Sequence, residues 1–147
     1  MSVDAAPRSV HSLLGLPVRF HGSRLGRTAD LLVDASRWRL LGFVVECGDE
    51  VERFLPFAAS QPGDDEIAVG SPLMLLDDVG FYRAHAVSVR ALLGAGIERA
   101  GRYAGALSDL VVARTADVDE LEVDVDGSPH RVAAAGSSVS SPAATAA

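Results

Sequence analysis

Residues 13–36, LLGLPVRFHGSRLGRTADLLVDAS, recur at residues 92–115 as LLGAGIERAGRYAGALSDLVVART. The offset is 79 and needs no gap. It matches Leu13-Leu14-Gly15 with Leu92-Leu93-Gly94, Gly22 with Gly101, Gly26 with Gly105, Asp30 with Asp109, Leu31 with Leu110 and Val33 with Val112. That is 8 identities in 24 positions, where composition alone gives roughly two, so the chain carries an internal duplication. Val18/Ile97, Ala29/Ser108 and Leu32/Val111 are conservative pairs in the same frame.

Beyond residue 36 strand phase dictates a change of frame. Leu121, Val123 and Val125 alternate with Glu120, Glu122, Asp124 and Asp126, the pattern of a half-buried strand with one wet face. An offset of 79 would set Glu122 against Phe43 and turn the core face outward. An offset of 78 pairs Phe43 with Leu121, Val45 with Val123, Cys47 with Val125 and Arg53 with Arg131. The turn before this strand is therefore expected to be one residue shorter in the second copy. Strands are expected at about 17–20, 25–34, 39–47, 51–57 and 66–69, then at about 95–99, 104–113, 117–125 and 130–134, joined by turns bearing Gly. No fifth strand is expected in the second copy. Strand 25–34 is apolar on both faces, with Leu31 and Val33 on one and Thr28 and Leu32 on the other, which one barrel lying against another would explain.

These residues resemble the PRC-barrel domain family. The resemblance runs through LLGLPVRFHGSRLGRTADLLVDASRWRLLGFVVECG and, more weakly, LLGAGIERAGRYAGALSDLVVARTADVDELEVDVDG. It covers nearly all of residues 12–69 and 91–134, and its motifs are structural glycines and apolar spacing. The fold it implies is all-β: two tandem small PRC-like β-barrels packed as a pseudo-two-fold pair. The expected organisation is a disordered N-terminus (1–11), a first repeat (12–70), a connector of unassigned structure (71–90), a second repeat (91–135) and a disordered, Ser/Ala/Pro-rich tail (136–147). The family includes the cytoplasmic domain of the photosynthetic reaction-centre H subunit and the C-terminal half of a maturation factor for the small ribosomal subunit. This chain has no N-terminal membrane helix like the first. It has a second PRC-like copy where the second has a different domain. What carries over is an adaptor-like role.

Bulk properties narrow the function. The chain has 147 residues, 48% of them hydrophobic but only 5% aromatic, so Val, Leu and Ala fill the core. The formal net charge is -7, which disfavours nucleic acid as a partner, since that binding rests on phosphate neutralisation. All 13 basic residues are arginine, which removes Schiff-base and lysine-base chemistry. One cysteine, Cys47, allows no internal disulfide and fits a reducing compartment. No signal peptide and no spanning run is read, so a cytoplasmic location is expected.

Catalytic, cofactor and metal sites are not expected. Asp30 and Asp109 are the best polar candidates, and two related carboxylates could in principle act as acid and base. The simpler reading has each accepting backbone N–H bonds at a turn, with Gly22, Gly26, Gly101 and Gly105 as the other structural positions. His11, His21, His85 and His130 stand singly without metal-ligand spacing. Cys47 falls on an inward strand phase. Arg37, Trp38 and Arg39 sit on the turn that the second copy shortens and are the candidate partner contact, unless Trp38 folds back to plug the barrel end. The acidic edge from Asp117 to Asp126 reads as a solvated face. The expected function is a non-catalytic protein-binding or assembly module. A protein partner is expected and a homodimer is allowed. Two alternatives stand beside it: an RNA-processing or ribosome-maturation factor, requiring Arg19, Arg24, Arg27, Arg37, Arg39 and Arg53 to gather, and a small hydrolase or ligand barrel using the two aspartates.

Overall fold

A computed structural model describes residues 7–140; the expectations for residues 1–6 and 141–147 lie outside the described residues. In chain order the elements are β1 (Arg8–Ser9), α1 (Val10–Leu13), β2 (Pro17–Phe20), β3 (Ser23–Asp34), β4 (Arg39–Cys47), β5 (Glu52–Pro56), β6 (Ser60–Pro62), β7 (Ile67–Val69), α2 (Val79–Ala84), β8 (Val87–Ser88), α3 (Val89–Leu92), β9 (Gly96–Arg99), β10 (Arg102–Val112), β11 (Val118–Val125), β12 (Ser128–Ala133) and β13 (Ser137–Val139). The chain is mostly β and forms two sheets, one of which curls into a half-barrel. The first sheet runs β5-β4-β3-β2-β7-β6 with β8 also on β3; the second runs β12-β11-β10-β9-β13 with β1 also on β10.

The registers reproduce both offsets. Leu31 lies opposite Phe43 and Thr28 opposite Val45; Leu110 lies opposite Leu121 and Leu107 opposite Val123. Six residues separate Val33 from its partner Leu40, and five separate Val112 from Val118, which is the one-residue loss expected at this turn. The pairing of Arg53 with Arg131 fails, however. Arg53 faces Val45, whereas Val123 faces His130 and Arg131 faces Glu122. A second residue has been lost, because a two-residue Asp126-Gly127 turn, both at positive φ, closes the β11–β12 hairpin that a longer turn closes in β4–β5.

The repeated glycines have distinct causes. His21-Gly22 and Ala100-Gly101 are two-residue hairpin turns with both residues at positive φ. Gly26 and Gly105 instead lie under a neighbouring strand. A Cβ at Gly26 would sit 2.5 Å from the Glu46 carbonyl oxygen, and one at Gly105 would sit 2.9 Å from that of Asp124.

Both ends are ordered further than composition indicates. Arg8–Leu13 form β1 and α1 rather than the expected disordered terminus, because Val10 and Leu13 are buried in the core. Burying each of these side chains stabilises by about 1.5–3 kcal/mol. At the other end Ser137–Val139 pair with β9 and supply the fifth strand that low-complexity composition conceals. They pair antiparallel, whereas β7 closes the equivalent edge of β2 in parallel.

The connector is structured too. Asp78 caps α2, and Val79 and Tyr82 cover Leu32, Val44 and Phe54 on the outer face of the first sheet. The ring of Tyr82 stacks on Phe54 with centroids 4.0 Å apart. The second apolar face of β3 is thus covered by the connector, not by another barrel as expected. A bulge between Thr28 and Asp30 also changes the phase. Thr28 joins Leu31 and Val33 on the inner face while Asp30 joins Leu32 outside. The other buried apolar residues of both sheets, Val111 apart, form one continuous cluster.

Thr28 is buried with its hydroxyl unpartnered, at the place that Leu107 fills in the second sheet. Thr28→Val should stabilise the protein by about 1 kcal/mol in urea or thermal unfolding. Gly26→Ala should cost at least about 2 kcal/mol because the clash is with backbone, and Gly22→Ala about 1 kcal/mol because only its φ is strained. Equal losses would contradict the close-approach reading of Gly26.

Candidate functional site

The two duplicated aspartates sit at matching bulges, between Thr28 and Asp30 in β3 and between Leu107 and Asp109 in β10. One carboxylate oxygen of each accepts the next residue's own N–H, Leu31 at 2.8 Å and Leu110 at 2.8 Å. The other oxygen accepts a hydroxyl from far along the chain: Ser88 donates to Asp30 and Ser9 donates to Asp109. Ser9 and Ser88 are themselves 79 apart and are the N-caps of α1 and α3.

Each aspartate therefore anchors an arm that crosses to the opposite sheet. β1 lies along the C-terminal half of β10, with Ser9 opposite Val111; β8 lies along the same half of β3, with Ser88 opposite Leu32. The next residues repeat the exchange: Arg90 Nε donates to the Ala29 carbonyl at 2.7 Å, and His11 Nε2 meets the Ser108 carbonyl at 2.8 Å. Chemically these carboxylates are acceptors already in use. The Asp30 junction is the stronger, since it also receives the Arg90 amide at 3.3 Å and has the Arg83 guanidinium 4.0 Å away.

Of the candidate partner contact, Trp38 is turned inward. It is buried, and its indole N–H donates to the Ser137 carbonyl at 2.9 Å. Arg39 is held by Asp117 at 2.9 Å. Arg37 projects outward, 81% exposed and 3.8 Å from Asp34, and Arg39 is half-exposed beside it.

Of the six arginines needed for a nucleic-acid face, four are ion-paired with acidic side chains, while Arg24 and Arg27 stand exposed on β3. Arg19 pairs with Glu66, Arg37 with Asp34, Arg39 with Asp117, and Arg53 with both Asp49 and Asp77. The bidentate Asp49 contact raises the Arg53 pKa further and lowers that of Asp49. Cys47 is buried, as its strand phase indicates. His85 contacts the Phe81 carbonyl on its own helix at 2.7 Å, and His130 is exposed on β12. No group of three or more His, Cys, Asp or Glu side chains that could hold a metal occurs among the described residues. On β11, Glu120 and Glu122 share Arg131 of β12.

One surface was not legible in advance. The turn Pro72–Met74 exposes Leu73 (85%) and Met74 (40%) beside an open groove of about 680 Å³ lined by Leu25, Leu75, Asp49 and Arg53. Phe81, 53% exposed, stands on α2. Ser9 and Ser88 were equally missed, although extending the offset of 79 backward matches Ser9-Val10 with Ser88-Val89.

Two measurements test these assignments. Asp30→Asn and Ser88→Ala should each destabilise the protein, and a double-mutant cycle should return a coupling of about 1.5–3 kcal/mol, the range for a hydrogen bond to a charged group; a coupling near zero would sink the junction. At the β3–β4 turn, the Ser36 hydroxyl, then the Arg37 and Ser36 amides and the Arg37 charge, hold Asp34 below the ordinary aspartate value of 3.8. A carboxylate depressed in the folded state stabilises above its unfolded pKa, and that stabilisation is lost as pH falls through the folded pKa. The Asp34 carboxyl should therefore titrate below 3.8 by NMR, and Asp34→Asn should flatten the acid limb of the stability profile. A midpoint at or above 3.8 would contradict this.

No protein-family model matches the chain, and no curated protein matches it significantly. The reading of the site rests on its own geometry.

Proposed function

We propose that the chain is a non-catalytic protein-binding or assembly module made of two tandem PRC-barrel-like units packed about a pseudo-two-fold axis. The observation that carries this reading is the reciprocal strand exchange. Ser9 on Asp109 and Ser88 on Asp30 use the duplicated aspartates as scaffold, and the same junctions weigh against the hydrolase alternative. What repeats holds the units together, so recognition is assigned to what does not repeat. The connector provides that surface, with Leu73 and Met74 exposed next to the groove at Arg53. Exposed apolar side chains rimmed by charge are the usual mark of a protein contact.

No helix among the described residues is long and apolar enough to cross a membrane. A single cysteine supports a reducing compartment, and a cytoplasmic location belongs to this reading. The nucleic-acid alternative draws little support, because four of its six arginines are ion-paired.

The test is affinity capture from the native cell with the full chain as bait. Leu73→Glu with Met74→Glu should leave the unfolding curve unchanged and remove the specific bound protein. An identical set of captured proteins would overturn the assignment of this surface. Labelled single-stranded RNA should show no anisotropy change at low salt; binding that weakens steeply with salt would favour the alternative.

A further inference from the structure

We propose that Arg39 and Asp117 form a pairing code that makes the first unit select the second, so that the chain closes on itself as a monomer. The proposal rests on the tandem reading above and identifies what the interface between the units recognises. Arg39 and Asp117 stand at the same place in the two frames, 78 apart, and they face one another in an isolated antiparallel bridge. On either side Leu40 N–H donates to the Ala116 carbonyl and Val118 N–H donates to the Trp38 carbonyl, both at 2.8 Å. These four residues are again equivalent by the offset of 78. Trp38 and Ala116 also share a positive φ, 52° and 78°. The chain here meets its own counterpart.

At such a point two like units would set a residue against itself. Two first units would oppose Arg39 to Arg39, and two second units would oppose Asp117 to Asp117. Only the mixed pair brings Arg39 Nη1 to Asp117 Oδ1, at 2.9 Å. A duplicated chain can vary the two positions independently, which a symmetric homodimer cannot. Both side chains are 51% exposed, so solvent screens the contact and the discrimination is graded rather than absolute. Trp38 acts in the same sense. Its indole N–H needs the Ser137 carbonyl on β13, and the first unit closes the corresponding edge with the parallel strand β7 instead. Like-with-like pairing is opposed by repulsion and by a lost acceptor, which is how specificity is commonly built.

The experiment uses the complete chain with a protease site inserted between Gly70 and Ser71, cut after folding. A second, isotope-labelled protein carries Arg39→Asp with Asp117→Arg and is cut in the same way. Its own pair remains opposite in charge, and its unfolding curve checks that it folds. The two nicked proteins are mixed, loosened in urea until the units exchange, diluted and counted by native mass spectrometry. A mixture of labelled and unlabelled wild type defines equal shares. Hybrids pair Arg with Arg or Asp with Asp, and they should fall about three-fold below the parental pairs. The uncut chain should have the mass of a monomer. Hybrids at equal share, or complexes of two like units, would overturn the code. Separation of the nicked units in plain buffer would instead overturn the tandem reading, and the code with it.

Discussion

The hydrogen bond between a capping serine and a strand carboxylate, made twice in opposite directions, is the constraint on which the rest of the molecule depends. A long strand such as β3 or β10 exposes an edge that its own hairpin partner covers only along the N-terminal half. The other half is covered by an arm from the opposite sheet, and the bulged aspartate locates that arm by accepting its serine. The arm then inserts Val10 and Leu13, or Val89 and Leu92, into the shared core. Neither sheet completes its edge or its core alone, so the two cannot be separated without exposing both. One carboxyl acceptor per junction, already bonded to the next backbone N–H, sets the register without needing a longer strand.

Given that scaffold, the two sheets part company on their outer faces. The first sheet carries Leu32, Val44 and Phe54 outward and requires a cover, which α2 supplies with Val79 and Tyr82. The second presents Glu120, Glu122 and Arg131 at equivalent strands and needs none. The connector thus has a structural duty on its inner side and is free on its outer side. Leu73 and Phe81 are exposed there without contributing to the core. In the proposed reading, these are the side chains that a protein partner would cover.

Much of the fold was legible because strand phase is unforgiving: a one-residue slip turns a face inside out. The alternation of Leu121, Val123 and Val125 was enough to locate the shortened turn, and Gly22 already marked a turn between the first two strands. Bulges and short arms were not legible in the same way. The bulge before Asp30 moves Thr28 to the core face, and nothing in a periodic count reveals an extra residue. β1, β8 and β13 are two or three residues long, too short for any periodicity, and each is fixed by the strand it pairs with. The Arg53–Arg131 match was attractive because the residues are identical, yet the tight Asp126-Gly127 turn removes a residue and sets them at different registers.

Trp38 shows how the same turn serves both coverage and selection. Its place beside two arginines on a loop resembles an exposed anchor, but its positive φ directs the indole into the core and toward Ser137. Ala116, at the matching place, has the same backbone and is also buried, with only a methyl to offer. A symmetric pair would have to put two indoles or two methyls there. Trp and Ala at equivalent places, with arginine against aspartate beside them, are an arrangement that a symmetric homodimer cannot reach. The departures from repetition at this contact are therefore what the proposed tandem pair would use to tell one unit from the other.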